Sequence, residues 1–133
     1  RLGQEISKKV KCKFYIAAGP NDIDLINKFK NSNIGKNSIS FEKLSIKETL
    51  PIIKNCDVYI GNDTGFAHIS VALKIKSLVI FTDTPIKVYG RYAPAFMSTV
   101  EPQGENESTV HNTLGADSIS FDEVYNKSIQ MLN

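Results

Sequence analysis

At 133 residues, with 41% hydrophobic and 23% charged side chains, the chain has the size and composition of one ordinary globular domain, residues 1–133. It holds no apolar run of about 18 residues, which excludes a membrane-spanning helix. The net charge of +2 is uneven, with eleven Lys/Arg against six Asp/Glu over residues 1–60 and five against eight over 61–133. Arg1 and Arg91 are the only arginines, so no nucleic-acid partner is expected, and the basic half is read as solvated surface with a secondary affinity for an anionic membrane face.

In chain order, Leu2, Ile6 and Val10 recur at a spacing of four and predict the tail of a helix. Lys11 to Ala18 turns continuously apolar, as a central parallel strand does. It breaks at Gly19-Pro20-Asn21-Asp22, where a helix over Asp22 to Asn31 begins, with Ile23, Ile26 and Phe29 on one face and Leu25 beside them. Asn37 to Phe41 is a short strand. Ser45-Ile46-Lys47-Glu48 has the spacing of a capping box, so a helix starts at Ser45, and Pro51 is expected to kink or delay it.

Asp57 to Ile60 reads as a buried strand that stops at Gly61-Asn62-Asp63-Thr64-Gly65. The run that follows is helical and almost wholly apolar, with Phe66, Ile69 and Leu73 on one face. This is strand, tight turn, buried helix. Such a helix points its unpaired amides and positive dipole end into the crevice beyond the strand, where a phosphate is favoured. Gly61 and Gly65 are expected to admit an anion close to the backbone. Asp63 or Thr64 would cap the helix, and His68 lies one turn after Thr64 on the same side.

Ser77 to Phe81 is another buried strand, running into Thr82-Asp83-Thr84-Pro85. Tyr89 to Pro94 reads as an aromatic loop, Met97 to Val100 as an edge strand, and Pro102 to Ser108 as a polar surface loop. Ser120-Phe121-Asp122-Glu123 repeats the capping-box spacing and opens a last helix with Phe121, Val124, Tyr125, Ile129 and Leu132 on its apolar side. Alternating strands and helices imply an α/β fold with a doubly wound, Rossmann-like parallel sheet. Cys12 and Cys56 are too far apart for a disulfide framework or zinc site and are expected to be buried free thiols. His68 and His111 lack metal-ligand spacing. No dinucleotide fingerprint, P-loop or nucleophile elbow occurs.

Asn62-Asp63-Thr64-Gly65-Phe66-Ala67-His68 resembles the Asp-Thr-Gly-x-x-His signature of family 9 glycosyltransferases, the bacterial heptosyltransferases of lipopolysaccharide core synthesis. Gly19-Pro20-Asn21-Asp22 resembles the family's Gly-Gly-Pro-x-Asp turn, with Ala18 at the first glycine. Phe81, Thr84 and Pro85 match its Phe-Gly-Pro-Thr-x-Pro loop, without the Gly-Pro.

The resemblance implies the C-terminal half of a GT-B glycosyltransferase, with the N-terminal acceptor half and its general base outside this chain. The donor, a nucleoside-diphosphate sugar such as ADP-heptose, would meet Asp63, Thr64, Gly65, Phe66, His68, Gly19 and Thr84, with Glu42 on its ribose. Within that set, Thr64 and the Gly65 and Phe66 amides would hold the diphosphate, while Asp63 orients the loop or meets a sugar hydroxyl. No metal, no cofactor and no catalytic residue is expected here, and the implied reaction is inverting transfer to a glycan or lipid-linked acceptor.

The chain starts at Arg1 and shows no signal peptide. It is read as a cytoplasmic fragment of a longer protein, working at the inner face of the bacterial inner membrane and inactive alone. The alternatives are a stand-alone flavodoxin-like nucleotide- or protein-binding module and half of a nucleotide-sugar epimerase.

Overall fold

Strands and helices alternate along the chain as the hydrophobic pattern predicts, in a computed structural model that describes residues 1–102 and 118–133. Residues 103–108 of the expected polar loop, and His111, lie outside the described residues. The chain divides into two compact units, Arg1–Ile52 and Ile53–Asn133. The fold is α/β and Rossmann-like, with every described strand pair parallel and the strands in two sheets.

The first unit holds α1 (Leu2–Ser7), β1 (Tyr15–Ile16), a turn of 3-10 helix at Pro20–Asp22, α2 (Ile23–Lys30) and β2 (Ile39–Ser40). β1 and β2 pair in parallel, Tyr15 with Ile39 and Ile16 with Ser40. The strand expected over 11–18 shrinks to two residues, paired among the described residues with β2 alone, and Tyr15 is half-exposed rather than central. In α2, Ile26 is buried and Phe29 meets Phe14 edge-on at 5.6 Å, but Ile23 and Leu25 are exposed. Cys12 is free and exposed, correcting the buried thiol expected there, since it lies in the irregular stretch between α1 and β1.

The capping box at Ser45 forms as the spacing requires. The Ser45 amide donates to Glu48 Oε2 at 2.8 Å and the Glu48 amide to Ser45 Oγ at 3.4 Å. Ser45's hydrogen bonds hold the Glu48 carboxyl below the usual carboxylate range. α3 (Ile46–Lys54) therefore starts on time and runs through Pro51.

The second unit holds β3 (Val58–Asn62), α4 (Gly65–Ala72), β4 (Lys76–Ile80), α5 (Ile86–Tyr89), β5 (Met97–Val100) and α6 (Phe121–Leu132). Its sheet is ordered β3-β4-β5, in register Val58 to Lys76 and Ser77 to Met97. Strand alternation puts Tyr59, Val79 and Met97 on one face, where they pack with Ala67 and Val71 of α4, Phe81 and Ile86. On the other face lies Lys76, whose Nζ donates to the Met131 carbonyl of α6 at 3.4 Å. The Ser120 cap forms too, its Oγ accepting from the Glu123 amide at 3.2 Å.

α4 ends without glycine. Lys74 takes a left-handed conformation at φ 63, its amide donating to the Val71 carbonyl and the Ile75 amide to the Ser70 carbonyl, both at 2.9 Å. That is a Schellman termination, and buried Ile75 supplies its apolar contact.

Candidate functional site

β3 runs two residues further than its apolar stretch, because Gly61 and Asn62 still pair with Val79 and Ile80. The Asp63 amide extends the ladder by donating to the Ile80 carbonyl at 3.1 Å. Asp63 is thus the last strand-like residue, and alternation puts it on the same face as Tyr59 and Gly61, the face α4 covers. Thr64, extended at φ −144 and ψ 170, is the helix cap, but its side chain caps nothing; the Tyr59 hydroxyl stands 3.4 Å from its Oγ1.

Asp63 does not cap the helix either. Its Oδ2 accepts from Thr84 Oγ1, which ties the turn after β3 to the loop after β4. Its Oδ1 stands 2.8 Å from His68 Nε2, a charge contact in a side chain only 9% exposed, and Oδ1 makes no aligned hydrogen bond. The opposite ring nitrogen, Nδ1, is 2.7 Å from the Tyr92 hydroxyl. The His68 ring also lies over Tyr92, with centroids 5.7 Å apart and planes at 29°, and edge-on to Tyr89 at 6.5 Å. Helix periodicity explains the meeting with Asp63, since His68 returns to the Thr64 side one turn into α4.

The two glycines of the turn differ. A Cβ on Gly65, the first helical residue, would meet nothing within 4 Å, and the residue is exposed, so no side chain crowds the backbone at the start of α4. A Cβ on Gly61 would meet the Tyr59 hydroxyl at 2.6 Å. Gly61 is small to admit Tyr59, whose phenol burial pushes above its usual pKa, and it gives no approach to an anion.

Asp63, Thr64, Gly65, His68 and Thr84 come together at one end of this sheet, because they follow neighbouring parallel strands. Phe66 occupies the second position of α4. Asp83, beside Thr84, keeps a buried Oδ1 without a hydrogen-bond partner. Gly19 and Glu42 belong to the first unit, where each follows the carboxyl end of a strand of the β1-β2 pair.

The Gly19 amide donates to Asp22 Oδ2 at 3.1 Å. Glu42 faces Lys30 at 3.6 Å, and its Oε2 is buried without a hydrogen-bond partner. Ser40 first, then Glu42's own backbone and Lys30, hold that carboxyl below its usual range, so it is an ionised acceptor. Sequence reasoning missed Tyr92 and Tyr59 as partners of the turn; their aromatic character was visible, their contacts were not.

Among the described residues no group of three or more His, Cys, Asp or Glu is placed to hold a metal ion. No helix among them is long and apolar enough to cross a membrane. The site offers a helix end, an uncrowded backbone at Gly65, the hydroxyls of Tyr59, Thr64, Thr84 and Tyr92, and a shielded carboxylate, a set suited to binding a phosphorylated ligand.

The profile of glycosyltransferase family 9 (heptosyltransferase) matches residues 26–116. Lipopolysaccharide heptosyltransferase 1 of Campylobacter coli is 32% identical over 79 residues, 59% of this chain and 22% of that protein. The matched region thus spans about a fifth of the relative's length. No solved structure matches the chain.

Proposed function

This chain belongs to glycosyltransferase family 9, and from that premise we propose that it carries the donor-binding part of a glycosyltransferase, taking a nucleoside-diphosphate sugar. The observation that carries the reading is the turn after β3, with an open amide at the start of α4 beside a carboxylate turned away from it. A bare carboxylate would repel a diphosphate; with Oδ2 bonded to Thr84 and Oδ1 against His68, Asp63 instead fixes the loop. The donor's diphosphate meets the Gly65 and Phe66 amides and the Thr64 hydroxyl. As it becomes the leaving group, the helix end stabilises the charge it gains.

The finer assignments are part of the same proposal. The sugar is a heptose and the acceptor a lipopolysaccharide core, as the name of the Campylobacter coli relative suggests. Transfer is inverting, needs no metal and takes place in the cytoplasm at the inner membrane face. The general base and acceptor pocket belong to another part of the protein, since Asp63 and Glu42 are already engaged and a base must reach the acceptor hydroxyl.

Calorimetric titration with ADP, UDP and their sugars tests the reading. Saturable binding of a nucleoside diphosphate supports it; no binding at millimolar concentration of any of them refutes it. Sugar transfer by these 133 residues alone would refute the division of labour.

A further inference from the structure

Each ring nitrogen of His68 faces a polar neighbour. Nε2 stands 2.8 Å from Asp63 Oδ1 and Nδ1 stands 2.7 Å from the Tyr92 hydroxyl. The Asp63 charge beside Nε2 favours the proton on that nitrogen, because two lone pairs at this distance repel, although the contact is not an aligned hydrogen bond. Nδ1 then meets the phenol oxygen in one of two arrangements. Either the phenol donates to Nδ1, or a protonated Nδ1 donates to the phenol oxygen and leaves the phenol's own O–H pointing elsewhere.

Tyr92 is itself 55% exposed, whereas Asp63 at the far end is 9% exposed. The chain of groups therefore runs from a buried charge to a solvent-facing hydroxyl. Burial, and secondly the Asp63 charge, push the Tyr92 phenol above its usual pKa, so it keeps its proton at neutral pH. Beside it, Tyr89 and Val88 are exposed on α5, so the hydroxyl stands in an accessible aromatic surface.

We propose that Asp63, His68 and Tyr92 form a relay in which the Tyr92 hydroxyl, and not the imidazole, contacts the phosphate of the bound ligand. Asp63 and His68 are then positioning residues. A bound anion draws one proton from solvent onto Nδ1, whose N–H then donates to the phenol oxygen, and the phenol O–H turns outward to donate to a phosphate oxygen. Donation from an imidazole polarises the phenol and strengthens its own outward bond. This rests on the donor-site reading above and adds a phosphate-contacting side chain 24 residues beyond the signature histidine.

The test uses the purified protein with two probes, ADP and inorganic pyrophosphate, in calorimetric titrations of wild type, Tyr92→Phe, His68→Ala and the double variant. Phenylalanine keeps the ring over His68, so only the hydroxyl is lost. Tyr92→Phe and His68→Ala are each expected to weaken both probes about tenfold, as for a charge-assisted hydrogen bond. The double variant should lose no more than either single, because one chain of bonds is broken once. In the absence of ligand, Tyr92→Phe should also move the Nδ1 nitrogen resonance of His68, a change that mere surface packing would not give.

Wild-type binding that Tyr92→Phe leaves intact or tightens, while His68→Ala weakens it, would mean that the imidazole meets the anion and Tyr92 only covers it. Additive losses in the double variant would overturn the relay equally. Failure of wild type to bind either probe would instead overturn the donor-site reading, and the anion contact with it.

Discussion

Gly65→Ala should make the protein more stable and its donor site worse. Gly65 opens α4 with no left-handed φ, and an added Cβ would meet nothing within 4 Å. Alanine therefore fits the native backbone without strain and restricts the unfolded chain, which stabilises by about 0.4–1 kcal/mol. Urea unfolding should show the midpoint rising with an unchanged slope. The space the methyl group fills is the approach to the first free amide of the helix, where the diphosphate is proposed to rest.

Losing one amide contact to a charged ligand costs about 1.5–3 kcal/mol, a weakening of ADP binding by about ten- to hundredfold on calorimetry. The opposite signs are the point, since a merely structural turn gives the stability gain alone. Unchanged ADP affinity in the stabilised variant would refute the placement of the ligand. Gly61→Ala is the control, because its Cβ would stand 2.6 Å from the Tyr59 hydroxyl, so it should destabilise by about 1–3 kcal/mol as overpacking does.

Thr64→Ala should cost at most a few tenths of a kcal/mol in urea unfolding, well under the ~1 kcal/mol of a working cap, because its hydroxyl caps no amide; it should still weaken ADP binding. Thr84→Val leaves Asp63 Oδ2 unbonded in a mostly buried side chain and should lower stability by about 1–3 kcal/mol. Lys74→Gly relieves a left-handed residue, and the relief of about 1 kcal/mol should appear as a higher unfolding midpoint. Glu48, whose folded pKa is depressed, contributes stability that is present above its unfolded value of 4.5 and lost as pH falls through the folded value. Glu48→Gln should accordingly flatten the acid limb of a stability–pH profile and leave the neutral region's slope unchanged.

What could be read from the sequence was whatever depends on neighbours within a turn. Both capping boxes, at Ser45 and Ser120, form with the partners their spacing names. The apolar run from Ser77 to Phe81 becomes buried β4 and the first residue after it, since a strand covered on both faces has no polar alternation to hide it. β1 misled, because an apolar run says nothing about how many partners a strand will find. The reach of β3 to Asn62 was hidden by glycine and asparagine, poor strand formers that the β4 ladder holds in place. α5 leaves no mark in the sequence pattern, its four residues being too few for a periodic signal. Gly61 and Gly65 are the same letter with different causes, one making room for Tyr59 and one leaving an amide open, and only the fold separates them.

The role of Asp63 follows from the same extension of β3. Had the strand ended at Ile60, Asp63 would have entered the turn free to cap α4, and its carboxylate would have closed off the amides a phosphate needs. The two extra ladder positions carry it to the α4 face as the last strand-like residue, where Thr84 and His68 are within reach and the helix cap is not. These two ladder positions thus decide whether the carboxylate competes with the ligand or braces the loops around it. A substitution that ended β3 early, Asn62→Pro, would remove the strand's last position from the ladder. It should loosen the Thr84 and His68 contacts together, and ADP affinity should fall further than in Thr84→Val alone. Equal losses in the two variants would mean that the ladder extension does not set the carboxylate's direction.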